Sequence, residues 1–471
     1  MAGLVRSKKV SPVDLVDAHL ARIEKLNRKI NAFIEMDAER AKQQARAQES
    51  ALMRGEQLGA LPGLPISIKS SIEVWGMRCE SGTKLRHRHV ARNDAPLVER
   101  LRSAGGIVLG TTNTPEFLMA WETDNLIYGR TNNPWDLSRT SGGSSGGEAA
   151  AIACGCSAGG VGSDGGGSIR VPAHFCGICG LKPTPGRIPA SGHFPQSIGP
   201  FASLGVVGPM ARSAGDVKLL FEVMQGPDVG DPSAAPVPVR WPGWASDRAS
   251  RKAVRIGYFE DDGRVPVSSE TRVAVRKAAE FLRTAGFEVE QFRPEGLDQA
   301  RDLWWQFFGV TGAMLLGPML KGREGDLSPI LRQFNSWVAA EPPHTAESLL
   351  NSWVQRDLVR MKVFEQMKRF PILLCPVASI PAFKHGERTW QIEGQTVKYL
   401  EAWSYCEWFN LLGMPAATVP VAKSNEGLPI GVQIVARPWE EEGVLSVAEI
   451  LELERGAWQT PLLHPAPATQ G

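Results

Sequence analysis

Residues 139–187 constrain this chain more than any other stretch, because they are dense in glycine and serine with mostly small residues between. Glycine weakens ordinary helices and strands, since it loses the most backbone freedom on folding. Such density therefore signals close backbone approach, unusual dihedrals, or a ligand held by main-chain amides. Two loops stand out, Ser141-Gly142-Gly143-Ser144-Ser145-Gly146-Gly147 and Ser163-Asp164-Gly165-Gly166-Gly167-Ser168-Ile169-Arg170. Between them, the Ala-rich stretch from Glu148 to Ala153 reads as a buried helix.

The flanking sequence alternates strand and helix. Residues 11–25 read as a helix with Ser11 as N-cap, Pro12 at the first helical position and Asp14 placed as in a capping box. Residues 37–54 continue helical character, 64–69 alternate like a short strand ending in Lys69, 94–103 read as a helix, and 107–110 as a buried strand. Strands at 253–259, 287–290, 372–377 and 430–435, with a helix at 270–285, complete an α/β pattern. Residues 226–252, rich in Pro, Ala, Gly and Asp, read as a surface connection. Residues 301–365 read as mainly helical; Trp304, Trp305, Phe307, Phe308, Trp337 and Trp353 there serve either as core or as the wall of a hydrophobic substrate pocket.

Composition bears on what the chain is not. Formal net charge is +2, with no long block of one sign, which gives no field directed at nucleic acid or an anionic membrane. No signal peptide is evident, and no stretch approaches the apolar length of a membrane span, so a cytoplasmic location is expected. The seven cysteines suggest no disulfide framework. Cys176 and Cys179 form a C-x-x-C pair with no second pair to complete a metal site, and read as small buried residues.

The two loops carry the parts of a nucleophilic site. A serine needs a base to take its proton and donors aimed at the oxyanion that forms on attack. The glycines of the second loop leave their N–H groups uncovered. None of the eight histidines lies in an obvious motif, and the G-x-S-x-G nucleophile elbow is absent. A lysine serves as base when burial lowers its pKa. Lys69, flanked by Ser67, Ser70 and Ser71, is the candidate, although spacing alone favours a solvent-exposed charge.

The run GGSSGGEAAAIACGCSAGGVGSDGGGSIRVPAHFCGICGLKPT resembles the amidase signature family, in the group that holds fatty-acid amide hydrolase and bacterial amidases. The upstream TDNLIYGRTNNPWDLSRTSGGSSGG, the lysine segment GLPISIKSSIEVWGM and the tail LGMPAATVPVAKSNEGLPIGVQIVARPWEEEGVLSVAEILE carry the resemblance over almost the whole chain. It implies one α/β domain over 1–471, a mixed central sheet covered by helices on both faces, a signature core at about 60–220 and a helical pocket region at about 300–365. It implies Ser168 as acylated nucleophile, Ser144 as a bridging serine in a cis peptide, and Lys69 as general base. Gly165, Gly166, Gly167 and Ser168 match the oxyanion segment. Ser145, Asp164 and Arg170 match bracing polar residues, and Leu118 and Met119 match an acyl-pocket region. The implied reaction is hydrolysis of amide-type C–N bonds, carbamates included and esters as a side activity, with no metal or organic cofactor. Many relatives form homodimers. Two positions depart from the family's pattern. Ser163 is a mild change. Gly165 stands where the family often carries a side chain, and the loss of that side chain would loosen or widen the segment.

Three other readings remain at this level. A glutaminase subunit of a tRNA-dependent amidotransferase would need charged groups for a free amino acid. A phosphate binder lacks a Walker A pattern here. A catalytically inactive binding protein on the same scaffold would retain the triad without using it.

Overall fold

The chain, a computed structural model, is described over residues 1–461 and at Leu463; the remainder of the expected 1–471 span lies outside the described residues. Its strands are β1 (Phe33–Met36), β2 (Pro65–Lys69), β3 (Ile107–Thr112), β4 (Gly159–Asp164), β5 (Cys179–Lys182), β6 (Val206–Ala211), β7 (Arg255–Tyr258), β8 (Glu288–Gln291), β9 (Ile372–Pro376), β10 (Thr389–Ile392), β11 (Gln395–Lys398), β12 (Ala416–Lys423) and β13 (Pro429–Ala436). β10 and β11 pair with each other; the rest form one 11-stranded sheet in the order β1-β3-β2-β4-β6-β5-β12-β13-β9-β7-β8. β2 is parallel to β3 and β4, and β7 to β8 and β9, while the other pairings are antiparallel. The sheet is therefore mixed, as expected.

Both faces of the sheet are apolar because both are covered. Along β9, Ile372 and Leu374 join one hydrophobic cluster while Leu373 and Cys375 join another on the opposite side. This is the two-residue period of a strand, with neither face left to water. The helices Pro96–Ser103, Ala214–Met224, Ser269–Thr284 and Glu441–Arg455 supply the first cluster. The helical region after Leu297 supplies much of the second.

Local signals explain the helix ends. Ser11 Oγ accepts from the Val13 amide at 2.9 Å and more weakly from Asp14 N, and Pro12 opens a helix that runs to Ile30, beyond the expected 25. The expected capping box is only half formed: Ser11 Oγ accepts from the Asp14 amide, but among the described residues no Asp14 side chain returns a bond to the Ser11 N–H, and the Ser11 hydroxyl donates to Glu49. The Ala-rich helix Gly146–Ala153 is buried throughout, as expected. Residues 226–252 hold only short 3₁₀ turns between long irregular stretches.

β4 carries little strand signal in its sequence, GGVGSD, and owes its place to its neighbours. A Cβ at Gly160 would collide with Glu148 Oε1 and the Ser67 carbonyl, so only glycine lets β4 lie beside β2 and the buried helix.

The 301–365 region is helical, with a π-helical turn at Gln306–Thr311 joining Leu297–Trp305 to Gly312–Leu320. By length and composition alone this continuous stretch of 24 residues could cross a membrane, contrary to the expectation of no such stretch. Here its Trp304 and Phe307 are wholly buried in the second cluster. All seven cysteines are free and buried; Cys176 Sγ donates to the Ser141 carbonyl and Cys179 Sγ to Glu452, a packing role for the C-x-x-C pair.

Candidate active site

Lys69 ends β2 and Asp164 ends β4, and these two strands are parallel neighbours. Their carboxyl ends open at one edge of the sheet, where open α/β sheets carry ligands. Lys69 is fully buried, not the exposed charge that spacing alone favours. Its Nζ lies 2.6 Å from Ser144 Oγ, 3.0 Å from Ser145 Oγ and 3.0 Å from Ser163 Oγ. Burial drives the Lys69 pKa well below its ordinary value; the carboxylates of Asp164 and Glu148 pull upward without restoring it. A neutral amine donates two hydrogen bonds and accepts one, so three hydroxyls around it can all be satisfied, one of them donating to nitrogen.

Glu148, on the buried helix, lies below this cluster. It accepts from Ser67 and, at 2.8 Å, from Thr112 Oγ1. Burial pushes its carboxyl up to about 7, against the Ser67 and Thr112 hydrogen bonds and the Lys69 charge.

Ser144 follows a cis Gly143–Ser144 peptide, as the resemblance implies. Gly143 has no room for a side chain, since an added Cβ would meet the Ala120 carbonyl and both backbone polar atoms of Glu122 at 2.6 Å. The Ser144 carbonyl accepts from Thr114 Oγ1 at 2.9 Å, and the Ser145 amide donates to the Ser168 carbonyl at 3.1 Å. The two serine loops are thereby tied together. Ser168 is half-buried and opens, with Ser144, on one cavity. Among the described residues no hydrogen bond joins the two hydroxyls; the Ser144 bond runs to Lys69.

Asp164 braces the second loop. Its carboxylate accepts from the Gly167 amide at 2.7 Å, the Ile169 amide at 3.1 Å, and Arg170 Nε and Nη2 at 3.0 Å each. Burial pushes the Asp164 pKa up, but the Arg170 charge and these hydrogen bonds, with Lys182, more than offset it and hold the carboxyl far below its usual range. Asp164 and Arg170 are both without exposed side-chain surface, so each alone would be an uncompensated buried charge. Asp164→Asn is expected to cost about 3–5 kcal/mol of folding stability. Chemical denaturation would check this, and a loss below about 1 kcal/mol would contradict the bracing role.

The structure departs from the expected oxyanion set at Gly167. That amide is taken by Asp164, leaving Gly165, Gly166 and Ser168 as loop N–H groups with no acceptor among the described residues. Gly165 does not loosen the loop either. A Cβ there would sit 3.0 Å from Phe308 Cε2, so the ring fills the space a side chain would take.

The cavity reaches Ser144 and Ser168 between walls of Phe117, Leu118, Met119, Phe201, Phe308 and Leu316. Phe117 and Leu118 take the left-handed backbone conformation at φ 50° and 65°, uncommon for large side chains and frequent at ligand sites. Four contributors carry no signal as site residues in the sequence: Ser163, Phe117, Phe201 and His193. His193 is held neutral, its pKa lowered to about 4 by burial and by Lys69, and its Nδ1 meets the Pro195 carbonyl at 2.8 Å. No motif marks it. The turn of the Ser163 hydroxyl toward Lys69 depends on β4 being a strand, which its sequence does not announce.

The model of the Amidase family matches residues 14–445. The chain belongs to that family. This amidase is 32% identical to the indoleacetamide hydrolase of Bradyrhizobium diazoefficiens, over 98% of this chain and 87% of that protein. It is also 32% identical to a glutamyl-tRNA(Gln) amidotransferase subunit of Anaeromyxobacter sp., over 97% and 96% of the two chains. Among solved structures, a bacterial aryl acylamidase of the amidase signature family superposes with a TM-score of 0.85 at 26% identity, covering 96% of this chain and 95% of the other. The amidase is thus an enzyme of the C–N hydrolase class, on the mixed sheet of that family.

Proposed function

We propose that this amidase hydrolyses amides with uncharged, hydrophobic acyl or aryl groups, with Ser168 as nucleophile and Ser144 and Lys69 as its proton relay. The observation that carries this reading is the fully buried Lys69, 2.6 Å from Ser144, beneath an apolar cavity that Ser168 also faces. Neutral Lys69 accepts the Ser144 proton while Ser144 accepts that of Ser168, whose oxygen bonds to the substrate carbonyl carbon. The hydroxyls close to hydrogen-bond distance when substrate docks, as catalytic contacts in unliganded sites commonly do. The amides of Gly165, Gly166 and Ser168 receive the oxyanion. The relay returns the proton to the leaving nitrogen, the C–N bond breaks, and an acyl-Ser168 ester remains. Water, losing a proton to the same relay, releases the acid and restores Ser168.

Substrate polarity follows from the walls. The one carboxylate lining the cavity, Asp164, is already paired with Arg170, and His193 is neutral. Among the described lining residues there is no free charge to meet the ammonium or carboxylate of glutamine. Relatives named indoleacetamide hydrolase and aryl acylamidase support the same choice, against the amidotransferase subunits of similar identity. Carbamates (urethanes) present the same carbonyl and leaving nitrogen, and belong in the substrate range wherever their groups are apolar.

The expected result is a kcat/KM for arylacetamides and anilides at least ~100-fold above that for free glutamine, equivalent to about 2.7 kcal/mol of differential transition-state binding. Ammonia and aniline release across both substrate sets would measure it. A preference for glutamine would move the protein to the amidotransferase reading.

A further inference from the structure

The loop amides assigned above to the oxyanion lie in a run of three glycines and the serine that follows, and glycine has little conformational preference of its own. Something must hold those peptide planes. Two tryptophans distant in sequence do so from the far side of the loop. Trp304 Nε1 donates to the Gly165 carbonyl at 2.8 Å, and Trp121 Nε1 donates to the Gly166 carbonyl at 2.9 Å.

In a trans peptide the C=O and the following N–H point in opposite directions. Fixing the Gly165 carbonyl on Trp304 therefore fixes the Gly166 N–H on the other side. The next peptide is held at both ends, its carbonyl by Trp121 and its Gly167 N–H by Asp164 at 2.7 Å. Rotation of the first peptide would present a carbonyl oxygen to the oxyanion in place of a donor, which is electrostatically adverse.

Both indoles are held in place by other rings. Trp304 is wholly buried and stacks on Phe308 with centroids 4.5 Å apart and planes 14° apart. Its six-membered ring presses on the loop, since a Cβ at Gly166 would collide with Trp304 Cζ2. Trp121 stacks on Trp403 at 5.7 Å, and its amide donates to Tyr399 Oη at 3.1 Å. Each indole N–H thus goes to a carbonyl within the very segment that carries the free amides.

We infer that Trp304 and Trp121 are positioning residues that fix the oxyanion-binding amides through their indole N–H groups, with Trp304 setting the Gly166 donor. This rests on the assignment of Ser168 as nucleophile. Neither indole touches the reacting atoms in this scheme; they act through the loop.

The test separates the N–H from the ring. Trp304→Phe keeps an aromatic ring without the donor, and replacement of Trp304 by 3-benzothienylalanine keeps the indole shape with sulfur in place of N–H. Both are expected to lower kcat by about 10–100-fold, up to the effect of deleting an oxyanion donor, with KM changed less than about threefold. Affinity for a trifluoromethyl ketone, which forms an oxyanion on Ser168, should fall in parallel with kcat/KM, while affinity for a non-reacting ketone-free analogue holds. Hydrogen exchange of a peptide spanning residues 165–168 should quicken. A kcat within twofold of wild type in both variants, or an equal loss of affinity for both ligands, would overturn the inference. Ser168→Ala is run alongside. If it retained turnover, the nucleophile assignment would fall by itself, and the exchange measurement would still decide the clamp: unchanged exchange in both Trp304 variants refutes it.

Discussion

Ser168→Ala is expected to remove amide turnover by at least ~10⁴-fold, because a triad's members act as a unit and what survives is binding and oxyanion stabilisation alone. The expectation comes from placement. Ser168 is the one half-buried member of the serine cluster, on a loop whose amides are free, while Ser144, Ser145 and Ser163 are buried around Lys69. A covalent label makes the readout independent of substrate choice. A fluorophosphonate should add to the peptide that carries Ser168 in the wild type and leave the variant unmodified, as followed by mass spectrometry. Labelling at Ser144 instead, or turnover within tenfold of wild type, would reassign the nucleophile.

Lys69→Ala carries the second large effect, and its pH dependence gives the mechanism a sign. Protonated Lys69 has no lone pair to accept the Ser144 proton. Activity should therefore be low in acid and rise as pH passes through the Lys69 pKa, which burial places well below the ordinary lysine value. Lys69→Ala should lose ~10³–10⁴-fold in kcat, with no such limb, and Lys69→Arg should be inactive at every pH because a guanidinium stays charged. Glu148 provides a finer check. Its negative charge favours the protonated form of Lys69, so Glu148→Gln should lower the Lys69 pKa and move the acid limb toward lower pH. A limb moving the other way, or an unchanged limb in Lys69→Ala, would remove Lys69 from the role of base. A complete kcat/KM profile of the three variants against the wild type is sufficient.

The buried amine and the buried pair beside it pull against each other in a way that suits the reaction. Asp164 is committed to Arg170 and to two loop amides, so its charge stays fixed while Lys69, as the proposed base, gains and loses a proton. On the proposed mechanism, the electrostatic surroundings of Ser168 are thus set before substrate arrives, and little reorganisation is expected during the reaction.

Much of this is legible in the sequence because the signals are local. Alternation over residues 64–69 marks β2 with Lys69 at its end, the Ser11-Pro12 pair marks a helix start, and the glycine-rich runs mark two loops with uncovered amides. Resemblance, rather than spacing, joins Lys69 to serines more than seventy positions away. Where local signals are thin, reading fails. β4 has one β-branched residue among three glycines, a serine and an aspartate, and is a strand only because β2, β6 and Glu148 leave it that shape. Spacing places a capping box at Asp14, yet only its Ser11 half forms, and the Ser11 hydroxyl also reaches Glu49 on the next long helix.

The sequence by itself determined the chemical inventory: a lysine at the end of a strand-like run, two serine loops, and glycines that leave amides bare. Only the tertiary structure decided how these groups are oriented. The parallel pairing of β2 and β4 brings three hydroxyls to one nitrogen; Asp164 takes the Gly167 amide; Phe308 fills the space beside Gly165; and two indoles donate to the Gly165 and Gly166 carbonyls. Periodicity and turn chemistry act over a few residues and can be read along the chain. The direction of a hydrogen bond from Trp304 to Gly165 depends on packing across the whole core, and no local pattern encodes it.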